Sequence, residues 1–450
     1  MQRENFGSQF GAIMAMTGSA VGLGNLWRFP YMVGVYGGAA FVLVYVIVVF
    51  LLCLPILNSE MIAGRRSQTN AFGAFKVLAP GTKWKWVGAL MIFTPLVVLS
   101  YYSVIGGWSL EYLYKSVCFD FTSVAHTRQE LDSIFGNFIS SVWTPLIWHT
   151  VFLGVTALIV VLGVKKGIET FGKIMMPLLF LLVILIAVRA ATLPGAGEGF
   201  AYLFKPDFSR ITPAVCAAAL GQGFFSLSVG FGIMLTYASY MNRKDSIGKS
   251  SVLIAVSDTM FALIASCAIM PAVFAFGLSP EAGPSLLFEV LPFIFSQMPL
   301  GGVVAILFFV ALLVAALTSS VSILEVGVAY LVEEKHLSRK FAALIIFLGT
   351  WLVGILCSLS FGPLSDMRIF GDILFDFLDR FTSNILMTLG ALLIVIFVGW
   401  KMNRDDVRNE FTNGGTLKGS GKLFGPMYLV IRYLAPIAIL VIMFSNIFAS

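Results

Sequence analysis

The sequence predicts an all-α polytopic membrane protein of eleven helices. Three observations predict it: repeated apolar runs long enough to cross a bilayer, basic residues concentrated in alternate loops, and one glycine-flanked string that recurs in spans five apart. Of the 450 residues, 58% are hydrophobic and 12% charged, whereas a soluble domain carries about 25% charged residues. Mean hydropathy is +0.93, so there is too little polar surface to cover a water-soluble globule. The polar start of the chain, with no small-residue cleavage pattern behind it, does not read as a cleavable signal peptide.

Apolar runs of about 18 residues or more read as membrane helices. They give spans 10–36, 39–63, 88–115, 147–164, 168–188, 213–239, 250–275, 300–332, 341–359, 376–400 and 425–448. The loops between them alternate in charge. Those on the N-terminal side, with Arg65, Arg66, Lys165, Lys166, Arg243, Lys244, Lys335 and Arg404 among them, hold 20 of the 29 basic residues. Arg28, Arg380 and Arg432 lie within spans. This bias predicts a multi-pass protein of the cell (inner) membrane with its N-terminus cytoplasmic and, after eleven spans, its C-terminus outside. It also accounts for the net charge of +6, so nucleic acid is not an expected partner. The five cysteines and three histidines are scattered, and imply neither a disulfide framework nor a metal-ligand spacing.

No long polar linker divides the chain, so 1–450 reads as one transporter domain. Its expected halves are 1–200 (spans 1–5) and 201–400 (spans 6–10), with a cytoplasmic loop and span 11 in 401–450. Two outside loops are long. Residues 116–146 are polar enough to carry a short helix, and 276–299, punctuated by Pro280, Pro284, Pro292 and Pro299, suggests a folded lid.

Span 1 contains Val21-Gly22-Leu23-Gly24 and span 6 contains Val229-Gly230-Phe231-Gly232. Glycine costs about 1 kcal/mol in a helix relative to alanine, and two of them beside Ser19 and Asn25, or Ser226 and Ser228, invite unwinding. Lipid-facing backbone cannot unwind, because its N–H and C=O groups would lack partners. Glycine-interrupted spans at matching positions of two halves therefore point to a transporter binding site. Because the strings lie five spans apart, the halves have opposite topology, a 5+5 inverted repeat with an added eleventh helix. Packing is the rival explanation, since Gly18 and Gly22 also form a small-xxx-small pair.

Ionisable residues inside spans are functional candidates because their burial is costly. Asp258 in span 7 reads either as a carboxylate satisfied by neighbouring hydroxyls or as the fixed charge beside a sodium ion, a hard cation that takes oxygen ligands. Span 8 carries Thr318-Ser319-Ser320 and Ser322, which either bond back to their own helix or face the glycine breaks as ion ligands. Glu325 is expected to be buried and hydrogen-bonded toward the inner side. Arg28 and Asp379 occupy the same membrane level and form a candidate pair across a vestibule. Tyr102 has the depth for a hydroxyl aimed at the centre.

The stretch Ala20-Val21-Gly22-Leu23-Gly24-Asn25-Leu26-Trp27-Arg28-Phe29-Pro30 resembles the span-1 signature of the neurotransmitter:sodium symporters. Gly221-Gln222-Gly223-Phe224-Phe225-Ser226-Leu227-Ser228 resembles their span 6, Thr318-Ser319-Ser320 their span 8, and Lys166-Gly167-Ile168-Glu169 with Pro177 their span 5. The resemblance implies the LeuT-like 5+5 inverted repeat with unwound spans 1 and 6, and two Na+ ions. The first would be held by Ala20, Asn25, Ser226 and a span-7 residue, Asp258 or Ser257. The second would be held by the carbonyls of Gly18, Val21 and Ala315 and the hydroxyls of Thr318 and Ser319.

The resemblance further implies that a substrate carboxylate meets Tyr102 and the amides of Leu23 and Gly24, with Gly22 also among the substrate-binding residues. The substrate amine would meet Ala20, Phe225, Ser226 and Ser228. The side chain would occupy a pocket of Val98, Phe225, Phe231, Ser320 and Ile323. Arg28 and Asp379 would be the outer gate, and Arg3, Tyr240 and Glu333 (or Glu334) the inner one. Gly167 and Pro177 would bracket a break in span 5. The chain departs from the family pattern at Ser19, often Asn, at the span-7 ligand, usually Asn, and at the inner acid, usually Asp. It also lacks the twelfth span of larger members.

The expected function is sodium-coupled symport of a neutral hydrophobic amino acid, aliphatic or aromatic, by alternating access. Amine transporters of this family place Asp where this chain has Gly22, so the substrate is expected to bring its own carboxylate. Asp258 supplies a built-in negative charge, so transport is expected to be chloride-independent. Partners are the amino acid, sodium and the bilayer, with the chain a monomer or homodimer. A proton-coupled carrier or a non-transporting sensor are the alternatives. No Ser/His, paired-Asp or metal constellation suggests an enzyme.

Overall fold

The computed structural model describes residues 4–118, 127–279, 286–417 and 420–448. Among the described residues nine helices are long and apolar enough to span a membrane: Ala39–Ser67, Lys85–Val117, Trp143–Val161, Val164–Ala191, Ile247–Ala275, Gly301–Glu334, Arg339–Leu359, Leu374–Lys401 and Ser420–Phe444. These are spans 2–5 and 7–11. Spans 1 and 6 fall outside that set because each is broken into shorter pieces. Span 1 is Gln9–Ala20, a π-helical turn Gly24–Arg28, and Phe29–Val35. Span 6 is Pro213–Ser226 and Ile233–Ala238.

The breaks follow from local sequence. Val21 leaves helical geometry (φ −78°, ψ 91°) before Gly22. In span 6, Ser228, Gly230 and Gly232 all take positive φ, at 52°, 87° and 69°, a region that favours glycine. Gly230 also needs its missing side chain, because a Cβ there would lie 2.2 Å from the Met387 carbonyl of span 10.

Span 1 packs on span 7 as span 6 packs on span 2, and spans 3 and 8 pack on each other. This exchange is what an inverted repeat produces. The spans alternate in direction. The N-terminal segment and the turns after spans 2, 4, 6, 8 and 10 therefore share one face, and the long loops lie on the other.

On that opposite face, helix Arg128–Ser140 opens on a capping box of Thr127 and Glu130. Helix Val290–Gln297 and the preceding Leu286, Leu287 and Phe288 are buried. Phe288 stacks on Phe135 (5.4 Å) and meets Tyr112 edge-on (5.0 Å). The lid expected over 276–299 is thus folded onto the bundle in its described part, while Pro280 and Pro284 lie outside the described residues. Among the described residues one element departs from an all-helical chain: a two-residue hairpin pairs Arg368–Ile369 with Asp372–Ile373. Phe370 and Gly371 turn it, with φ of 51° and 92°, the geometry that favours tight hairpins.

Candidate functional site

The two breaks face each other across a narrow central cavity. Ala20, Gly22, Leu23 and Gly24 line it from span 1, Phe225, Ser226, Ser228 and Phe231 from span 6, Val98 and Tyr102 from span 3, and Ile323 from span 8. Ser19, Ile233 and Ser319 complete the wall. Ser320, expected in the side-chain pocket, is not part of it. Its hydroxyl lies 2.9 Å from Thr156 of span 4 and donates to the Leu317 carbonyl.

The breaks are cross-linked by hydroxyls. Ser228 and Ser319 both donate to the Ser19 carbonyl, at 3.1 and 3.2 Å, and Ser322 donates to the Ser19 hydroxyl at 2.7 Å. The Leu23 amide donates to the Tyr102 hydroxyl at 3.4 Å. A Cβ on Gly22 would stand 2.4 Å from Ser319 Oγ and 3.2 Å from the Tyr102 hydroxyl. Position 22 therefore accepts no side chain without displacing its neighbours.

Beside the cavity, Asp258 is fully buried. Asn25 Nδ2 donates to its Oδ1 at 2.8 Å, Ser226 Oγ donates to Oδ2 at 2.7 Å, and the Tyr45 hydroxyl donates to Oδ2 at 3.2 Å. Of the two alternatives for the span-7 position, Asp258 is the one turned to Asn25 and Ser226. Ser257 is only half-buried. All three donors to Asp258 are neutral, so a carboxylate in this place fits a cation among the same oxygens, because buried charges are paired or coordinate metals.

The second expected ion position lies where spans 1 and 8 touch. Thr318 Oγ1 donates to the Ala315 carbonyl at 3.0 Å, and Ser319 Oγ lies 3.5 Å from the Gly18 carbonyl. Val21, next to the break, donates its amide to the Thr17 carbonyl at 2.7 Å. A narrow void beside Gly18 and Thr318 is lined on the other side by Ile168, Phe171 and Gly172 of span 5. Span 5 is wound there: a π-helical turn Val164–Glu169 leads into Thr170–Ala191, which runs unbroken through Pro177. Gly167 has a packing cause, since a Cβ on it would lie 2.2 Å from the Ile159 carbonyl of span 4. The expected break between Gly167 and Pro177 is therefore a continuous helix in this structure.

Toward the opposite face the cavity adjoins a wider vestibule. Arg28 and Asp379 both line it, but they do not form an ion pair within 4.0 Å. The Arg28 guanidinium lies instead over the Phe225 ring, 4.9 Å from its centre. Leu23, Gly24, Tyr102 and Phe225 border both spaces.

The N-terminal face is closed by the chain's own start. Phe6 packs edge-on against Tyr237 and Tyr240 and donates its amide to the Tyr240 carbonyl at 3.0 Å. Glu169, almost fully buried, accepts from the Gly7 amide (2.6 Å) and Ser8 (3.2 Å) and pairs with Lys173. Arg3 lies outside the described residues. The Tyr240 hydroxyl donates to Glu325 at 2.7 Å, and Glu325 forms an ion pair with Arg339. Glu333 accepts from Thr69 and from the Asn70 amide at 2.9 and 2.7 Å, whereas Glu334 pairs with half-exposed Lys76.

Sequence reasoning missed Glu60, Tyr45 and Arg339. Glu60 of span 2 is fully buried and accepts from the Gly230 and Leu235 amides at 2.6 and 3.3 Å, so it satisfies backbone that the span-6 break sets free. Its signal was visible: an acid after Asn58 and Ser59 in an otherwise apolar span.

The sequence model of the sodium:neurotransmitter symporter family matches residues 3–134 and 140–450. An uncharacterized sodium-dependent transporter of Bacillus subtilis, YhdH, is 42% identical over 97% of this chain and 96% of its own. An uncharacterized sodium-dependent transporter of Haemophilus influenzae is 35% identical over 99% of both chains. Among solved structures, MhsT in complex with L-phenylalanine has a TM-score of 0.91 and 43% identity, covering 99% of this chain and all of that one.

Proposed function

Because this chain belongs to the sodium:neurotransmitter symporter family and is a sodium-coupled, multi-pass secondary transporter, we propose that it imports a neutral hydrophobic amino acid with two sodium ions and without chloride. The observation that carries the reading is the bare backbone at Gly22. With no side chain there, and with a Cβ excluded by Ser319, the anionic group of the substrate has to come from the substrate itself. Its carboxylate would take the Leu23 and Gly24 amides and the Tyr102 hydroxyl. Its amine would donate to the carbonyls of Ala20, Phe225 and Ser226 and to Ser228. The apolar wall of Val98, Phe231, Ile233 and Ile323 suits an aliphatic or aromatic side chain, and the phenylalanine bound to MhsT supports the same class.

In this reading the first sodium sits among Ala20, Asn25, Ser226, Asp258 and the substrate carboxylate, and the second among Gly18, Val21, Ala315, Thr318 and Ser319. The N-terminal face is cytoplasmic, as the basic loops require. Arg28 and Asp379 would close over Phe225 outside, while Tyr240, Glu333 and Arg3 hold the inner side. At an effective dielectric of about 20, opposite charges 4 Å apart attract by about 4 kcal/mol. A counter-charge for sodium is therefore needed, and Asp258 provides it.

The test is uptake of labelled phenylalanine and leucine into proteoliposomes, with sodium present or absent, in chloride or gluconate. Wild type should need sodium and be indifferent to the anion. Asp258→Ser should be inactive, or rescued by chloride. Uptake driven by protons without sodium, or lost in gluconate, would overturn the coupling proposed.

A further inference from the structure

Arg432 is a cation inside a span that the transport site does not use. It lies on the π-helical turn Val430–Leu434 of span 11. Span 10 approaches it closely: a Cβ on Gly399 would be 3.0 Å from the Arg432 Cα, and Trp400 Nε1 donates to the Arg432 carbonyl at 2.9 Å. The guanidinium lies 4.5 Å from the Trp400 ring and 5.6 Å from that of Tyr433. Both rings are on the outer surface of the bundle, 56% and 48% exposed, beside exposed Leu429 and Ile437. The side chain is thus half-buried at the outer surface of the bundle, away from the central cavity.

No carboxylate of the described residues pairs with this guanidinium, and its Nε is buried without a hydrogen-bond partner. Two more cations stand at the same end. Lys401 closes span 10, and Arg404 opens helix Arg404–Thr412 with its guanidinium 5.5 Å from the Tyr428 ring. Neither is in an ion pair among the described residues. Of the two acids nearby, Asp406 is taken by Arg66 at 2.6 Å and Asp405 is exposed.

Depth decides what can answer these charges. Arg432 is level with Gly399 and Trp400, one or two residues from the end of span 10. At about 1.5 Å per residue that is about 3 Å inside the end of the span, within reach of the headgroup layer for a side chain that snorkels. A guanidinium carries a planar fork of N–H donors that matches phosphate oxygens.

We propose that spans 10 and 11 form a binding site for the phosphate of an anionic phospholipid, held by Arg432 from within the span and by Lys401 and Arg404 at its end. Basic clefts between spans are a recurrent way of holding such headgroups. That the lipid belongs to the cytoplasmic leaflet rests on the orientation proposed above; the phosphate site itself does not.

The experiment uses the full chain, delipidated in neutral detergent. Native mass spectrometry reads retained lipid during titration with phosphatidylglycerol or phosphatidylcholine. Wild type should retain one phosphatidylglycerol saturably and phosphatidylcholine at least tenfold more weakly. Arg432→Gln should weaken phosphatidylglycerol binding by about fivefold, and Arg432→Gln with Lys401→Gln by about 25-fold. Lys340→Gln, at an exposed position at the start of span 9, removes the same charge elsewhere and should leave binding unchanged. Should Arg432→Gln fail to fold, Lys401→Gln and Trp400→Leu carry the test with the same expected direction. Equal retention of both lipids, or equal affinity in the Arg432 and Lys340 variants, would overturn the site. Complete competition by millimolar inorganic phosphate would reassign it to a small anion.

Discussion

Gly22→Ala is the sharpest perturbation of the proposed transport site. Ordinary van der Waals contact begins at 3.4 Å, and the new Cβ would stand 2.4 Å from Ser319 Oγ, a shortfall of 1.0 Å by subtraction. The Ser319 hydroxyl has to swing away from the Ser19 carbonyl, which it now meets at 3.2 Å. A hydrogen bond of this kind contributes about 0.5–1.5 kcal/mol, and overpacking a tight site costs about 1–3 kcal/mol. Together they amount to about 1.5–4.5 kcal/mol, or a roughly 10- to 2,000-fold loss of affinity if borne on binding.

The loss should fall on two ligands at once, because the Cβ enters the space proposed for the substrate carboxylate and moves a proposed sodium ligand. The assay is equilibrium binding of labelled phenylalanine to purified protein across a sodium series, with thermal unfolding measured in parallel. A second substitution separates the two effects. In a Ser319→Ala background the atom 2.4 Å away is gone, and the remaining neighbours are at 3.2 and 3.3 Å. The double variant should regain only the part of the substrate affinity lost to the clash with Ser319, while keeping a raised sodium requirement. Substrate affinity within threefold of wild type in Gly22→Ala would refute the argument, since the cavity wall would then have room that the geometry denies.

Thr318→Ala and Ser319→Ala, taken singly, should each raise the sodium concentration for half-maximal uptake, measured in proteoliposomes; unchanged sodium dependence in both sinks the second ion position. Glu60→Gln leaves one acceptor oxygen for the two amides of Gly230 and Leu235, so it should lower unfolding stability by about 1–3 kcal/mol and reduce uptake in parallel. Pro177→Ala restores a helix hydrogen bond and removes a helix breaker of about 3 kcal/mol. If span 5 has to unwind to admit water beside Thr318, inward sodium release should slow tenfold or more with substrate affinity nearly intact, and equal losses in binding and turnover would point to misfolding instead.

The spans were legible because a bilayer demands long apolar runs, and the breaks because glycine is the residue a helix tolerates least well apart from proline. Span ends were less so. Span 3 begins at Lys85 and span 8 ends at Glu334, because helices run on past the apolar stretch into water. The hairpin at 368–373 was not legible, since two-residue strands carry no alternation to detect. Ser320 was misassigned for a reason of phase. Successive helical residues turn by about 100°, so Ser319 and Ser322 share the face toward span 1 while Ser320 points to Thr156 of span 4. Gly167 was taken as a weak point, yet its close approach to Ile159 is a partner that only the packed fold supplies.

The same limit explains Asp258. The sequence offered Asp258 with Ser257 as the alternative, because one position of register is a rotation about the helix axis and nothing local sets it. The fold sets it through three other spans. Tyr45 of span 2, Asn25 of span 1 and Ser226 of span 6 all reach Asp258. Two of these, Asn25 and Ser226, sit on the broken helices, so any movement of either break changes the partners of the buried carboxylate. An unpaired buried charge is costly, whereas one joined to a cation is not. In the proposed reading, with a sodium ion among these oxygens, the breaks are held in this arrangement while the ion is bound and are freed to rearrange once it leaves. That links ion occupancy to helix geometry through one side chain, and it is why the loss of Asp258 should disturb coupling more than it disturbs folding.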